Sequence, residues 1–494
     1  MRIVEKPDGP YDLIVAGSGF GASFFLYRFL QHAMPTQRVL VLERGQRHSH
    51  ADQVAMGRNS DINQDDTWRH QGRGDKWWNF TIAFGGGSNC WWGNALRLHP
   101  SDFSLNSSYG VGRDWPLSYN DLEPYYSDVE QLMMISGPEE PTPWNRSRPL
   151  PLPPHRMPLP DRLLQEAYPD KHFVVTTARP SRDTDTLAKC CVNGVCNLCP
   201  IDSKFTVQNS FMSPYEDARV ETVLGADVRA VDVESGLARG VVYKKNGKEY
   251  RVAADLVALG ANGIFNPVIL QRSGLDHSHL GRNLNEQYSA FGEAYLDGVD
   301  HFQGSTVVTG TNYVAYDGPF RRHQASALME TWNMGRFRTD HGRWRQVMRF
   351  HLKLEDLPQE KNRVVLNKYE DDLPDVIFED YSQYTLNTAA KIHDIAADIL
   401  SPLPVERIEM EPAAATGSHL HGTTIMGHDP ADSVLDAFQI HHTVRNLAVL
   451  GGGGFPSGSQ TNPTVTVCAL AMRAADKLMA PSSPTASRPG GGHS

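Results

Sequence analysis

The chain has 494 residues, of which 40% are hydrophobic and 21% charged, with a formal charge of −10. That length is too great for one ordinary hydrophobic core and predicts two structural domains, and the composition excludes a disordered or membrane-embedded chain. A net negative charge spread along the sequence excludes a nucleic-acid surface, which needs clustered Lys and Arg. With no run of about 18 apolar residues and no basic-then-apolar leader, the expectation is a cytoplasmic protein without a membrane span.

In chain order, the β-branched run Tyr11–Ala16 predicts a strand ending in glycines. Residues 22–32 follow as a helix and 38–42 as a second strand that ends at Glu43. Residues 137–160, rich in proline, read as an extended surface excursion. Residues 219–243 read as hairpin-like strands, and 293–353, rich in Thr, Val, Tyr and Phe, as short alternating strands, so that an antiparallel sheet is expected as an insertion. Apolar strands at 256–259 and 446–450 each precede a Gly-rich turn and a helical pattern, and fragments far apart in sequence are therefore expected in one parallel sheet. The last fifteen residues, rich in Pro, Ser and Gly, read as a disordered tail.

Gly17, Gly19 and Ala22 form a GxGxxA pattern directly after the first strand, with Gly21 adding a further glycine. The first glycine permits the tight turn, the second lets backbone approach a pyrophosphate, and the small third residue lets the helix pack closely on the strand. The helix N-terminus offers N–H groups and partial positive charge to phosphates, and Glu43 is placed to accept from ribose hydroxyls. This is a dinucleotide turn; the pattern by itself does not choose between NAD and FAD.

That choice comes from motifs over almost the whole chain: GSGFGAS and VLERG, FGGGSNCWWGNALRLHPSDF at 84–103, WPLSYNDLEPYYSDVEQLMMISG at 115–137, LVALGANGIFNPVIL at 256–270, GRNLNEQ at 281–287, EDLPQEKNRV at 355–364, HLHGTTIMG, and GGGGFPSGSQTNPTVTVCALAMRAADKL. In this order they resemble the glucose-methanol-choline (GMC) oxidoreductases, in particular the bacterial sugar dehydrogenase and pyranose oxidase-like branch. The resemblance implies an α/β fold: a Rossmann-like FAD-binding domain from 1–105, 190–290 and 411–480, and a second α+β substrate domain with an antiparallel sheet from 106–189 and 291–410. It implies flavin contacts from Gly17, Gly19, Phe20, Gly21, Glu43 and Arg44, from Gly85, Gly86, Ser88, Asn89 and Cys90, and from Gly452, Asn462 and Thr464. Cys90 stands where some members carry a histidine joined covalently to flavin, although a small buried thiol is the simpler reading. Trp91, Trp92, Arg97 and His99, which follow, read mainly as packing.

Oxidation of an alcohol needs a base for the hydroxyl proton and an acceptor for hydride, both held around one carbon. His419, in the family's His-x-x-Gly-Thr pattern, and Asn462, in TNPT, fit the family's His/Asn pair, with His419 as base; His421 is a further substrate contact. The expected reaction converts a CH–OH group of a sugar-like or polyol substrate to a carbonyl, with oxygen or an electron-carrier protein as acceptor. The alternatives are a flavin-containing lyase without net redox, and an electron-transfer subunit with an iron-sulfur cluster. Substrate selection is expected from the inserted sheet and the loops around Trp332 and Trp344.

Four of six cysteines crowd into AKCCVNGVCNLCPIDSKFT. The CxxC pair followed by proline allows thiolate ligation by Cys190, Cys196 and Cys199, as in members with an iron-sulfur cluster, and it equally allows free thiols or a local disulfide.

Overall fold

The computed structural model describes residues 1–139, 142, 144–367, 373–413 and 418–480. The predicted C-terminal tail from 481 onward lies outside the described residues.

β1 (Tyr11–Ala16) is buried almost throughout and leads through a glycine turn into α1 (Phe20–His32) and β2 (Val39–Glu43). β3 (Val220–Leu224) pairs parallel with β2, and β4 (Lys248–Leu259) pairs parallel with β1 on its other side. α2 (Asn262–Arg272) follows β4. Three further strands, β5 (Tyr288–Leu296), β6 (Ala327–Trp332) and β7 (Val347–Leu354), pair antiparallel, with β7 in the middle. β8 (Leu447–Val449) returns to pair parallel with the end of β4, and α3 (Thr464–Met479) closes the described chain.

Among the described residues the first sheet has eight strands, in which the parallel core β3-β2-β1-β4 is extended by the antiparallel strands Leu237–Lys245 and Asp227–Glu234. The second has six strands, all antiparallel at the pairings of β5, β6 and β7. Continuous burial makes the parallel strands read as unbroken apolar runs, because both faces are covered.

One expectation is corrected by this topology. Residues 219–243 are not one hairpin: β3 joins the parallel core, and the hairpin that follows widens the same sheet instead of starting the inserted one. Within β3 the polar Glu221 is buried, its carboxylate accepting from Tyr11 Oη at 2.5 Å and pairing with Arg2.

α1 and α3 are fastened by a two-bond ion pair from Arg28 to Asp476, at 2.7 and 2.9 Å. The two helices pack side by side, and a Cβ on Gly21 near the start of α1 would lie 3.6 Å from Val467 Cγ1 on α3. Both helices begin at the same cavity, and neither has a side-chain cap. Their first-turn N–H groups therefore face the cavity with no intrahelical acceptor.

Candidate active site

A cavity of about 490 Å³ runs from the glycine turn to the antiparallel sheet. At the first end, Gly17 has φ +93°, and a Cβ there would lie 2.7 Å from the Gly260 carbonyl oxygen. A Cβ on Gly86 would lie 2.9 Å from Gly19 Cα, so the two glycine loops meet backbone to backbone. A Cβ on Gly260 would fall 2.8 Å from Ala22 Cβ, which is the close helix-on-strand packing that the small third residue of the motif permits.

Glu43 is buried at the end of β2. Its carboxylate accepts from Ser18 Oγ at 2.6 Å and from the Gly45 N–H at 2.8 Å, and Ser18 Oγ in turn accepts from Gly85 N–H at 2.9 Å. One carboxylate thus locks the first glycine loop to the second. Burial pushes the Glu43 carboxyl above its usual value, an effect opposed by these hydrogen bonds. Arg44 stands beside it with its guanidinium over the Phe265 ring. An uncapped helix N-terminus, a cradle that a single Cβ would fill and an acidic residue at the second strand's end fit the pyrophosphate and ribose of FAD.

The predicted contacts divide when placed. Gly17, Gly19, Phe20, Gly21, Glu43, Arg44, Gly86, Cys90, Gly452, Asn462 and Thr464 line the cavity. Gly85, Ser88 and Asn89 do not. Ser88 Oγ donates to Gly85 O and accepts from Val207 N–H, and Asn89 Nδ2 donates to Phe84 O. These two side chains tie the loop down from behind, so their polarity serves the turn itself. Asn89 instead borders a second, smaller cavity beside Lys204, whose ammonium is buried and donates to Asn89 O and Trp91 O. Burial lowers the Lys204 pKa to about 8. Trp91 and Trp92 also line the main cavity, whereas Arg97 is fully buried in a separate cluster with Glu123 and Glu130.

At the far end His419, His421 and Asn462 share the cavity wall. His419 Nδ1 lies 2.6 Å from Gln287 Oε1. The Gln287 amide is oriented by its other end, since Nε2 donates to the carbonyls of Ser459 at 2.6 Å and Thr461 at 3.0 Å. Its Oε1 can only accept, so Nδ1 of His419 carries the proton and Nε2 keeps its lone pair. The His419 backbone N–H donates to Glu286 Oε2 at 3.1 Å, and Glu286 is in turn paired with buried Lys76. Burial, with His421 and Lys353 adding to it, holds the His419 pKa well below the usual imidazole value; Glu330 opposes this.

His421 stacks on Phe455, with ring centroids 4.9 Å apart, and neither ring nitrogen has a partner. Burial lowers its pKa to about 3, so it is neutral. Asn462 Oδ1 accepts from Lys353 Nζ at 2.7 Å. The wall opposite the glycine turn is the antiparallel sheet, which contributes Ser289 and Phe291 from β5, Glu330 and Trp332 from β6, and His351 and Lys353 from β7.

Gln287, Glu330, His351 and Lys353 carry this geometry and were not singled out from the sequence. Gln287 lies in the GRNLNEQ motif. The other three sit on strands whose polar positions imitate a solvent-facing side. Trp332 lines the cavity as expected, but Trp344 does not: it is 52% exposed and stacks on Phe337 at the surface.

All six cysteines are free thiols. Cys196 is buried in the core, Cys191 is exposed, and Cys190 and Cys199 are intermediate. Among the described residues no group of three or more His, Cys, Asp or Glu side chains is arranged to hold a metal ion. Cys190, Cys196 and Cys199 as placed do not fit an iron-sulfur cluster. Among the described residues no helix is long and apolar enough to cross a membrane.

Comparison with known proteins agrees with this geometry. The chain is 30% identical over 448 residues to the fructose dehydrogenase large subunit of Gluconobacter japonicus, covering 80% of each chain. It is 28% identical over 513 residues to a 6'''-hydroxyparomomycin C oxidase of Streptomyces lividus, covering 94% of this chain and 91% of that one. The solved structure of pyridoxine 4-oxidase from Mesorbium loti superposes with a TM-score of 0.65 at 17% identity, over 94% of this chain and 99% of that one. Two family models, both described as GMC oxidoreductase, match residues 74–289 and 358–471, and on this evidence the chain belongs to the GMC oxidoreductase family.

Proposed function

We propose that His419 is the base and Asn462 its partner in the oxidation of a CH–OH group of a sugar-like or polyol substrate. The protein is an FAD-dependent oxidoreductase acting on alcohol or sugar donors. When bound, FAD supplies the hydride acceptor. The observation that carries the residue assignment is the His419–Gln287 hydrogen bond, because it leaves an unprotonated Nε2 in the cavity. A neutral imidazole with a free lone pair accepts the hydroxyl proton, and the burial that lowers its pKa keeps it in that form at ordinary pH. The Asn462 amide meets the substrate oxygen with its N–H end, since its carbonyl end is engaged by Lys353.

The relatives' names support a polyhydroxylated donor, and so does the wall that faces the pair, where aromatic rings alternate with charged groups able to bond hydroxyls. The eight-stranded sheet draws its strands from 1–105, 190–290 and 411–480, and the six-stranded sheet draws its strands from 106–189 and 291–410 apart from Tyr288–Leu296, which begins three residues early; this supports those stretches as the FAD and substrate units, although a third, small sheet pairs 69–72 with 374–378 across the division. The test is anaerobic addition of sugars, polyols and glycosides to the holoprotein while flavin absorbance is followed. Bleaching by a polyol is expected. An unbleached flavin with substrate cleaved would identify a lyase. Readmitting air reports the acceptor: reoxidation with release of hydrogen peroxide identifies oxygen, and a flavin that stays bleached identifies a carrier protein.

A further inference from the structure

The network that holds Asn462 is distinct from the one that holds His419. Lys353 lies on β7 with only 3% of its side chain exposed, and its ammonium donates to Glu330 Oε1 and to Asn462 Oδ1, each at 2.7 Å. Glu330 is 1% exposed and is gripped from a second side by Asn94 Nδ2 at 2.9 Å, with His351 Nδ1 3.6 Å from its other oxygen. The sheet register explains the cluster. Glu330 and Phe291 flank His351 on one cross-strand rung, and Lys353 faces Ser289 on the next rung along β7.

An ammonium has donors and no acceptor, so the Asn462 atom that it meets must be the carbonyl oxygen. With that end occupied, Nδ2 is the end left for a ligand. A freely rotating asparagine could offer a substrate hydroxyl either its oxygen, as an acceptor competing with His419 for the proton, or its N–H groups. Here Lys353 holds Oδ1, which biases the amide toward the second.

We propose that Lys353, clamped by Glu330, is a positioning residue that fixes the polarity of the Asn462 amide, making Asn462 a dedicated donor to the substrate oxygen as its proton moves to His419. This rests on the reading of His419 and Asn462 as the reacting pair. Buried ion pairs are poor sources of stability compared with apolar residues of similar volume, so a pair retained at this position fits a role in orientation better than one in packing. The Glu330 carboxylate holds the ammonium in place and balances its charge, and Lys353 thereby directs the amide without adding net charge to the cavity.

The experiment uses the holoenzyme carrying Lys353→Met together with Glu330→Gln, a charge-balanced change in which the new amide can still bond Asn94. Three quantities are read: the affinity for FAD, the binding of acetate as an anionic oxygen ligand followed through the flavin spectrum, and the rate constant of anaerobic flavin reduction by a polyol that reduces the wild type. FAD affinity is expected to stay within about twofold, acetate binding to weaken about tenfold, and reduction to slow between about tenfold and a hundredfold, a fraction of the loss known for removal of a complete oxyanion donor. In an Asn462→Ala background the same pair of changes is expected to slow reduction by less than about twofold. The single change Lys353→Gln, which keeps an N–H for Asn462 Oδ1, is expected to recover most of the rate, and if the double variant folds poorly, a Lys353→Gln enzyme that binds FAD normally but reduces it more than about tenfold slower would overturn the proposal. Equal losses with and without Asn462, or no loss at all, would overturn the role of Lys353 while leaving the reacting pair intact. A wild type that no polyol reduces would remove the functional reading and this inference with it.

Discussion

Replacing Gln287 by leucine keeps the side-chain volume and removes the acceptor for His419 Nδ1. In the wild type that acceptor lies 2.6 Å away and holds the proton on Nδ1. Without it, a buried N–H at Nδ1 has no partner, which costs about 1–3 kcal/mol, so the proton moves to Nε2 and the ring now offers the alcohol a donor where a base is needed. Returning to the productive tautomer restores that cost on the path to reaction. At about 1.4 kcal/mol per tenfold, flavin reduction should slow between about fivefold and about 150-fold. The assay is stopped-flow mixing with a polyol without oxygen, read at saturating substrate to separate rate from binding. Because leucine also loses the bonds to Ser459 O and Thr461 O, a Gln287→Glu variant is compared. Glutamate restores the acceptor without the donors and stabilises the protonated ring, so its reduction rate should recover toward wild type at high pH and fall as pH is lowered. Reduction by the leucine variant at the wild-type rate would refute the tautomer argument, and equal, pH-independent losses in both variants would assign the effect to the loop.

Three further outcomes follow from the geometry. His419→Ala should keep its flavin while reduction slows at least about a hundredfold; in the wild type, reduction should not decline as pH falls through 6.5, because burial together with His421 and Lys353 outweighs Glu330 and keeps the ring unprotonated there. Gly17→Ala should abolish or greatly weaken FAD binding, measured by flavin titration of the apoprotein, since the new Cβ would sit 2.7 Å from Gly260 O at a φ of +93° that itself strains an alanine by about 1–3 kcal/mol. Asp356, buried with one carboxylate oxygen unpartnered, has its pKa raised to about 6 by burial. Its folded value lies above the unfolded one, so the folded state retains a proton that the unfolded chain releases, and stability is lost as pH rises from about 4 through about 6. Asp356→Asn should remove up to about 3 kcal/mol of that dependence, seen as a melting temperature that gains on the wild type above pH 6.

The glycine turn, the first strand and the presence of His419 and Asn462 on one cavity wall were legible because each depends on local residue type. Gly17 needs its left-handed backbone, Glu43 terminates a uniformly apolar strand, and both members of the pair sit in short motifs. What was not legible depends on tertiary burial. In VMRFHLKL the polar residues Arg349, His351 and Lys353 alternate with apolar ones as they would on a strand with one wet face, yet all are buried: His351 and Lys353 close the cavity, and Arg349 pairs with Glu411. Ser88 and Asn89 had the right polarity in the right loop, and only the direction of their hydrogen bonds distinguishes a side chain that braces a turn from one that meets a ligand. Gln287 was inside a quoted motif, but its meaning needs both ends of its amide to be seen at once.

β8 and α3, which complete the cavity, come from the last tenth of the described chain, while the turn they close against is near the start. On the ribosome the first half of the cofactor's bed is therefore made hundreds of residues before the second. Full enclosure of the flavin therefore waits for α3, and a chain interrupted before residue 464 lacks the side of the cavity that Thr464 and Val467 supply.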